Sequence, residues 1–462
     1  NPYSSDLNGD GISELLFANS YNGSTTVFNG GWIYWGQGSP GSPSWSSSQR
    51  TDLPTRRSFG AVVADLNGDG WPEVIFASFG DDVGYSVDSN IYWGQAGGPH
   101  GVIYNVGAQT GLPTSGAAGI AVADLNDDGR PEVIFANSYN GSNYNIDSHI
   151  YWGRAGGPYG VAYSAAARTG LPTSDAGSLA VADLNRDGRP ELIFANYYNG
   201  SSYNINSYIY WGQSGGTYGV QYSISARTDL PTSGALGVAV ADLNNDGYLE
   251  LIFANYYNGS SYSINSYIYW GQAGGPHGVT YSAAARTNLP GVGVGQATVA
   301  DLNKDGQLDV AVQNHRGGSV RVFWGPLPTS GTATSYWDLA HPLGFRGFSL
   351  SDLNNDGWAD LVISRQGTGS NLWQGGTEGR VYLHTTTTIT PYDASPSFVL
   401  PAQSPAASYA SFGPGRGTNS NWTGYPRPAY GTAFPNFGVL ESVVIDSGQA
   451  GTVWQSVSTT AA

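Results

Sequence analysis

Apolar positions in this chain fall in short runs of strand length, and Gly and Asn clusters punctuate them every 8–15 residues. No window of 11–18 residues in the repeated part carries the 3.6-residue rhythm of an amphipathic helix. One stretch shows the pattern clearly. Val238 and Val240 alternate with small residues ahead of Asp242, and Leu249 to Asn255 is a continuous apolar run. Ser266 to Gly271 is aromatic and β-branched (Tyr267, Ile268, Tyr269, Trp270). A weaker fourth segment covers Thr280 to Thr287 and is expected to stop at Leu289-Pro290, where proline cannot donate to a ladder. These are four predicted strands, A to D.

The pattern repeats. The string D-L-N-x-D-G-x-x-[D/E] begins at Asp6, Asp65, Asp124, Asp183, Asp242, Asp301 and Asp352, five steps of 59 residues and one of 51. Four strands per unit, seven units and no helices predict an all-β, seven-bladed β-propeller, in which radial repetition protects the sheet edges. A β-solenoid is the alternative, but its repeats are much shorter. Asn1 to Ser5 is all the chain offers for strand A of blade one, so that strand is short or something else completes it. Blade seven is expected to take Arg380–Thr385 and Ser397–Leu400 as its outer strands. The propeller is thus assigned to residues 1–401 and a Pro/Gly/aromatic-rich irregular linker to 402–437. A C-terminal β segment, 438–462, contains two predicted strands, Val439–Asp446 and Thr452–Ser458, too few for a domain of their own.

The acidic string has a chemical reason for its spacing. In a tight loop, side chains at positions 1, 3 and 5 point inward, a backbone carbonyl at 7 joins them and a carboxylate at 9 closes a hard-oxygen shell suited to Ca²⁺. Glycine at position 6 permits the turn. The candidate ligands are Asp6, Asn8, Asp10, the Ile12 carbonyl and Glu14 in blade one, and Asp65, Asn67, Asp69, Trp71 and Glu73 in blade two. Blades three and four offer Asp124, Asn126, Asp128, Arg130 and Glu132, then Asp183, Asn185, Asp187, Arg189 and Glu191. Blade five offers Asp242, Asn244, Asp246, Tyr248 and Glu250. Blade six has Asp301, Asn303, Asp305, Gln307 and Asp309, and blade seven Asp352, Asn354, Asp356, Trp358 and Asp360. The competing reading is an acidic Asx turn without an ion, which would crowd three carboxylates into nine residues seven times over.

Strand–DxNxDGxxD/E–strand units in a seven-fold array resemble FG-GAP/VCBS repeats, as in integrin α-subunit propellers and many secreted bacterial proteins. The resemblance covers about residues 1–400. It implies a propeller with up to seven Ca²⁺ in the A–B loops of one face, and ligands on the opposite face built from B–C and D–A loops. It also implies an extracellular chain, secreted or attached to the cell surface.

Composition then narrows the function. Lys+Arg number only 18 and the net charge is −16, which argues against a nucleic-acid partner. No apolar run approaches a membrane span. With no Cys there are no disulfides, Cys–zinc sites or thiol chemistry, and the absence of Met, even at position 1, points to a processed or partial chain. Of the 34 acidic residues, 21 occupy the carboxylate ligand positions of the seven loops, and seven Ca²⁺ would leave a net charge of about −2. The acidity is therefore an internal metal requirement more than a statement about partners.

On the expected ligand face, Tyr-Asn-Gly-Ser recurs at Tyr21–Ser24, Tyr139–Ser142, Tyr198–Ser201 and Tyr257–Ser260. Three readings stand. Tyr139, Asn140, Tyr198, Asn199, Tyr257 and Asn258 could form a multivalent glycan-binding surface. Asn22, Asn140, Asn199, Asn258 and Asn421 each open a glycosylation sequon. Asn-Gly is also plain turn chemistry, with Tyr covering a sheet edge. The repeated Tyr-Trp-Gly (Tyr34, Tyr92, Tyr151, Tyr210 and Tyr269) is expected in the core between blades. No catalytic constellation is found, and His315-Arg316 is the one weak hint of polysaccharide-lyase chemistry. The sequence reads as a non-enzymatic extracellular calcium-binding propeller in adhesion or recognition of glycans or proteins. The alternatives are a filament or layer subunit self-assembling through its C-terminal strands, and a polysaccharide-active enzyme.

Overall fold

The computed structural model describes residues 6–19, 30–81, 83–340, 345–365, 378–385, 390–393, 395–401 and 408–411. Asn22, Asn421 and the expected strands of 438–462 lie outside them. Among the described residues the only helices are two short 3₁₀ turns, and none is long and apolar enough to cross a membrane.

Seven antiparallel sheets are arranged as blades. In blade three the order is A (Ala117–Ala123), B (Glu132–Asn137), C (Asn145–Tyr151) and D (Arg168–Ser174). Strand A of each blade touches strand A of the next, all the way round the ring. That contact explains the small residues of strand A. A Cβ on Gly119 would stand 2.9 Å from the Ser178 Cα of the neighbouring A strand. Strand B is sandwiched between blades, and Glu132–Asn137, Glu191–Asn196 and Glu250–Asn255 are buried throughout, hence their unbroken apolar runs.

Blade one resolves its missing strand from the far end of the chain. Ser408–Ser411 pairs antiparallel with Leu15–Asn19, placing Leu16 opposite Ser411 and Asn19 opposite Ser408. The stretch 402–437 is thus not irregular throughout: it contributes the inner strand that closes the ring.

Strand D also differs from expectation. In blade five it runs Val279–Val292, through Pro290, which faces Asn265. Pro113, Pro172 and Pro231 occupy the same register in their blades. Strand D is the outer edge, where a residue without an N–H breaks nothing. Among the described residues, blade five alone gains a fifth strand, Gly331–Thr332, parallel to its D strand. Blade seven places its outer strands at Glu378–Tyr382 and Phe398–Pro401, close to the expected positions. Small hairpins between C and D, such as Arg154–Ala155 with Val161–Ala162, have no counterpart in the sequence reading.

Tyr-Trp-Gly lies where the pattern put it. Tyr34, Tyr92, Tyr151, Tyr210 and Tyr269 are buried, as is each following Trp, and they fill clusters that span adjacent blades. Each Trp indole N–H donates to a threonine of strand D in its own blade, Trp152 to Thr169 at 2.9 Å.

Candidate functional site

The seven A–B loops share one geometry. In blade one, the Asp6 carboxylate accepts the N–H groups of Asp10 (3.0 Å) and Gly11 (2.7 Å). Asn8 Oδ1 accepts Asp10 N–H, and Asp10 Oδ1 accepts Ile12 N–H. Two left-handed positions, separated by one residue, make the bend. Position 6 is always glycine, Gly11 at φ 86° and Gly357 at φ 81°, while position 4 holds Asp127, Arg186, Asn245, Lys304 or Asn355 in five blades.

Position 9 plays a part that spacing alone does not reveal. Glu14, Glu73, Glu132, Glu191, Glu250, Asp309 and Asp360 are each fully buried. One carboxylate oxygen takes the N–H of the Leu at position 2, from Leu7 (2.6 Å) to Leu353 (2.8 Å). The other faces the backbone just past strand C, as with Gly153 N–H (3.3 Å) and Gly325 N–H (2.8 Å). This carboxylate ties the loop to strand C. Among the described residues no three His, Cys, Asp or Glu side chains are gathered to hold a metal. Positions 1, 5 and 9 therefore do not form a ready-made three-carboxylate shell.

The donor chemistry nonetheless fits a hard cation. Burial, and next the neighbouring loop aspartates, push Glu132 and Glu250 up to about 9 against opposing backbone hydrogen bonds. Burial likewise raises Asp6 to about 6 and Asp309 to about 7. The second oxygen of Glu73 is buried without a hydrogen-bond partner. A buried carboxylate beside two more acidic side chains is the kind of charge density that a bound cation relieves.

The C–D hairpins brace the same face. A buried Tyr in each of blades two to five donates its hydroxyl to the position-8 carbonyl of its own loop, as Tyr163 does to Pro131 (2.7 Å). Hairpin tips stack on the Trp of the preceding blade: His100 on Trp35 (4.3 Å), Tyr159 on Trp93 (4.6 Å), Tyr218 on Trp152 (4.5 Å) and His277 on Trp211 (4.3 Å).

The opposite face carries an unbroken arc of aromatic rings. Phe59 packs on Phe79 (4.4 Å), Phe79 on Tyr85 (5.4 Å) and Tyr85 on Tyr139 (4.8 Å). Within blades three, four and five, Tyr139–Tyr144 stack and Tyr198–Tyr203 and Tyr257–Tyr262 lie tilted against each other, all with centroids 4.5 Å apart. Across the seams, Tyr144–Tyr198 and Tyr203–Tyr257 meet edge-on at 4.9 Å. Arg316 ends the arc, 4.5 Å over the Tyr262 ring. All these rings are half-buried.

The sequence reading named one tyrosine of each pair and missed Tyr85, Tyr144, Tyr203 and Tyr262. A second Tyr five residues after the first was the available signal. Blade two, which lacks the sequon, still supplies Phe79 and Tyr85. Asn140, Asn199 and Asn258 each accept two backbone N–H groups through Oδ1 and so build the turn. His315 and Arg316 both reach the Tyr256 hydroxyl (3.1 Å each), contacts that anchor the arc.

Fold and loops together define a β-propeller of tandem repeats with acidic A–B turns. The chain belongs to the FG-GAP-like repeat family, whose model matches residues 6–76, 65–135, 124–194, 183–253 and 301–363, more than half its length. The search of curated proteins found no match. Among solved structures it is similar to BBS1N crystallised with ARL6DN, at 12% identity and a TM-score of 0.42, covering 75% of this chain and 89% of that one. It is also similar to a functionally unknown protein from Desulfotomaculum acetoxidans DSM 771, at 12% identity and a TM-score of 0.49, covering 87% and 100%.

Proposed function

We propose that this chain is a non-enzymatic recognition module of the cell exterior, stabilised by calcium in its A–B loops, that docks a protein partner on the face of its B–C loops. The observation that carries this reading is the arc from Phe59 to Arg316. Tyr and Arg at half-exposed, mutually braced positions are the residue types that dominate binding energy at protein interfaces. The rings turn their faces toward one another, so they present edges and hydroxyls rather than open platforms for stacking sugars. That geometry favours a protein partner over a glycan.

Calcium would be held by the side chains at positions 1, 3 and 5 and the carbonyl at 7, with the position-9 carboxylate behind them as a buried counter-charge. The ion would supply charge compensation and rigidity. The filament reading loses its first motive, because residues 408–411 complete blade one.

The test compares wild type with the Tyr198→Ser/Tyr257→Ser double variant on arrays of extracellular proteins and of glycans, in calcium. Protein-array binding that the variant loses supports the reading. Binding only on the glycan array, or equal binding by the variant, contradicts it.

A further inference from the structure

An arginine recurs in strand D of blades one, three, four and five, and in blades one and four its fork is closed by an acid two residues on. Arg227 sends Nε and Nη2 to the two oxygens of Asp229, at 2.7 and 3.1 Å, while Nη1 reaches the Tyr210 hydroxyl. Its guanidinium lies 3.8 Å over the Tyr208 ring. Arg50 with Asp52, over Trp32, repeats the bidentate clamp, and in blade six Arg321 of strand C makes the same clamp across the ladder with Asp338 of strand D, over Tyr336.

Blade five keeps everything except the acid. Arg286 lies 3.6 Å over Tyr267, and its Nη1 donates to the Tyr269 hydroxyl at 3.2 Å, the same pose as Arg227. The residue two positions on is Asn288 rather than Asp. Among the described residues Arg286 makes no ion pair, and the Nε–Nη2 edge that grips Asp229 in the neighbouring blade has no partner here. Blade three also lacks the acid, at Gly170, but there Arg168 is exposed and His149 stands where blades four and five have Tyr208 and Tyr267, leaving only the Tyr151 ring, 5.9 Å away.

A hollow of about 250 Å³ opens beside Arg286 at the seam with blade four. Its other walls are Asn204, Asn206, Thr232, Ser233 and Tyr267, with Pro231 and Ile205. Asn206 leans on Asp229 (3.5 Å), whose charge Arg227 already balances. The volume is below the ~300–1,000 Å³ of drug-sized sites and suits a single sugar ring. A planar guanidinium with an open two-donor edge selects a carboxylate, and an amide- and hydroxyl-rich wall selects hydroxyl groups.

We propose that the rim hollow between blades four and five is a binding site for an acidic sugar, its carboxylate gripped by the Nε–Nη2 edge of Arg286. The site adjoins the end of the tyrosine arc through Asn204, next to Tyr203, but its arginine is not part of the arc and its binding does not depend on the docking of a protein partner there.

Isothermal titration calorimetry of the calcium-loaded chain with D-glucuronate tests it, with D-glucose and sulfate as controls. Asn288→Asp installs the acid found in blades one and four, so it closes the fork while keeping the arginine and the fold. Arg286→Gln removes the fork. The expected result is saturable, millimolar glucuronate binding, weakened at least ten-fold in both variants, with no detectable glucose binding. No glucuronate binding, glucose or sulfate binding as strong as glucuronate, or unchanged binding by Asn288→Asp would overturn the proposal.

Discussion

The ring of Tyr144 meets that of Tyr198 edge-on, centroids 4.9 Å apart, across the seam between blades three and four. Tyr198 in turn lies against Tyr203 at 4.5 Å, so one side chain couples two blades and the turn between its own strands B and C. Aromatic pairs contribute about 0.5–1.5 kcal/mol each beyond area burial. Tyr198→Ala should therefore cost about 1–3 kcal/mol in urea unfolding, whereas Asn199→Ala, which removes only turn hydrogen bonds, should cost about 1 kcal/mol. Equal losses would show that the rings do not brace the seam.

Asp175 sits where blades two, four and five have Gly116, Gly234 and Gly293, at a left-handed φ of 48°. Its carboxyl accepts the Ser138 hydroxyl, and burial pushes it up to about 7, against the lowering effect of that hydrogen bond. The folded state thus holds a proton that the unfolded chain releases near pH 4. Stability from this group is full below pH 4 and is lost as pH rises toward 7. Asn tolerates the left-handed backbone and still accepts from Ser138. Asp175→Asn should therefore match wild type near pH 4 and exceed it by on the order of 2–4 kcal/mol at pH 8. A difference independent of pH would contradict the assignment.

Removal of Ser408–Ser411 should leave Leu15–Asn19 as an unpaired inner edge. A chain ending at 401 should melt at lower temperature and associate in size-exclusion chromatography, and one ending at 437 should do neither. Identical behaviour of the two truncations would mean that the strand does not close the ring.

Much of this was legible because the same problem is solved seven times. The Asp6-to-Asp352 series sets the blade count, and runs such as Leu249 to Asn255 mark strands buried on both sides. The closing strand was not legible, because Ser408–Ser411 has no acidic loop or apolar run and pairs through its backbone. Strand D was cut short at Pro290 because a ladder was assumed where the structure has an outer edge. In the loops, spacing identified the residue types but not their direction. Glu14 and its six counterparts turn onto backbone amides of Leu7 and its equivalents, a choice set by the burial of strand B's first residue. The tyrosines were half seen, since Tyr144, Tyr203 and Tyr262 become partners only when the turn folds back.

Calcium dependence of unfolding tests the central claim most directly. Chelator-treated protein should gain stability with each addition of Ca²⁺, because an ion that binds only the folded state stabilises it by mass action, about 2.7 kcal/mol per site at a hundred-fold excess over Kd. The account predicts a melting temperature that rises with Ca²⁺ and falls under EGTA, with up to seven ions bound per chain. A melting temperature unchanged by either addition would contradict it.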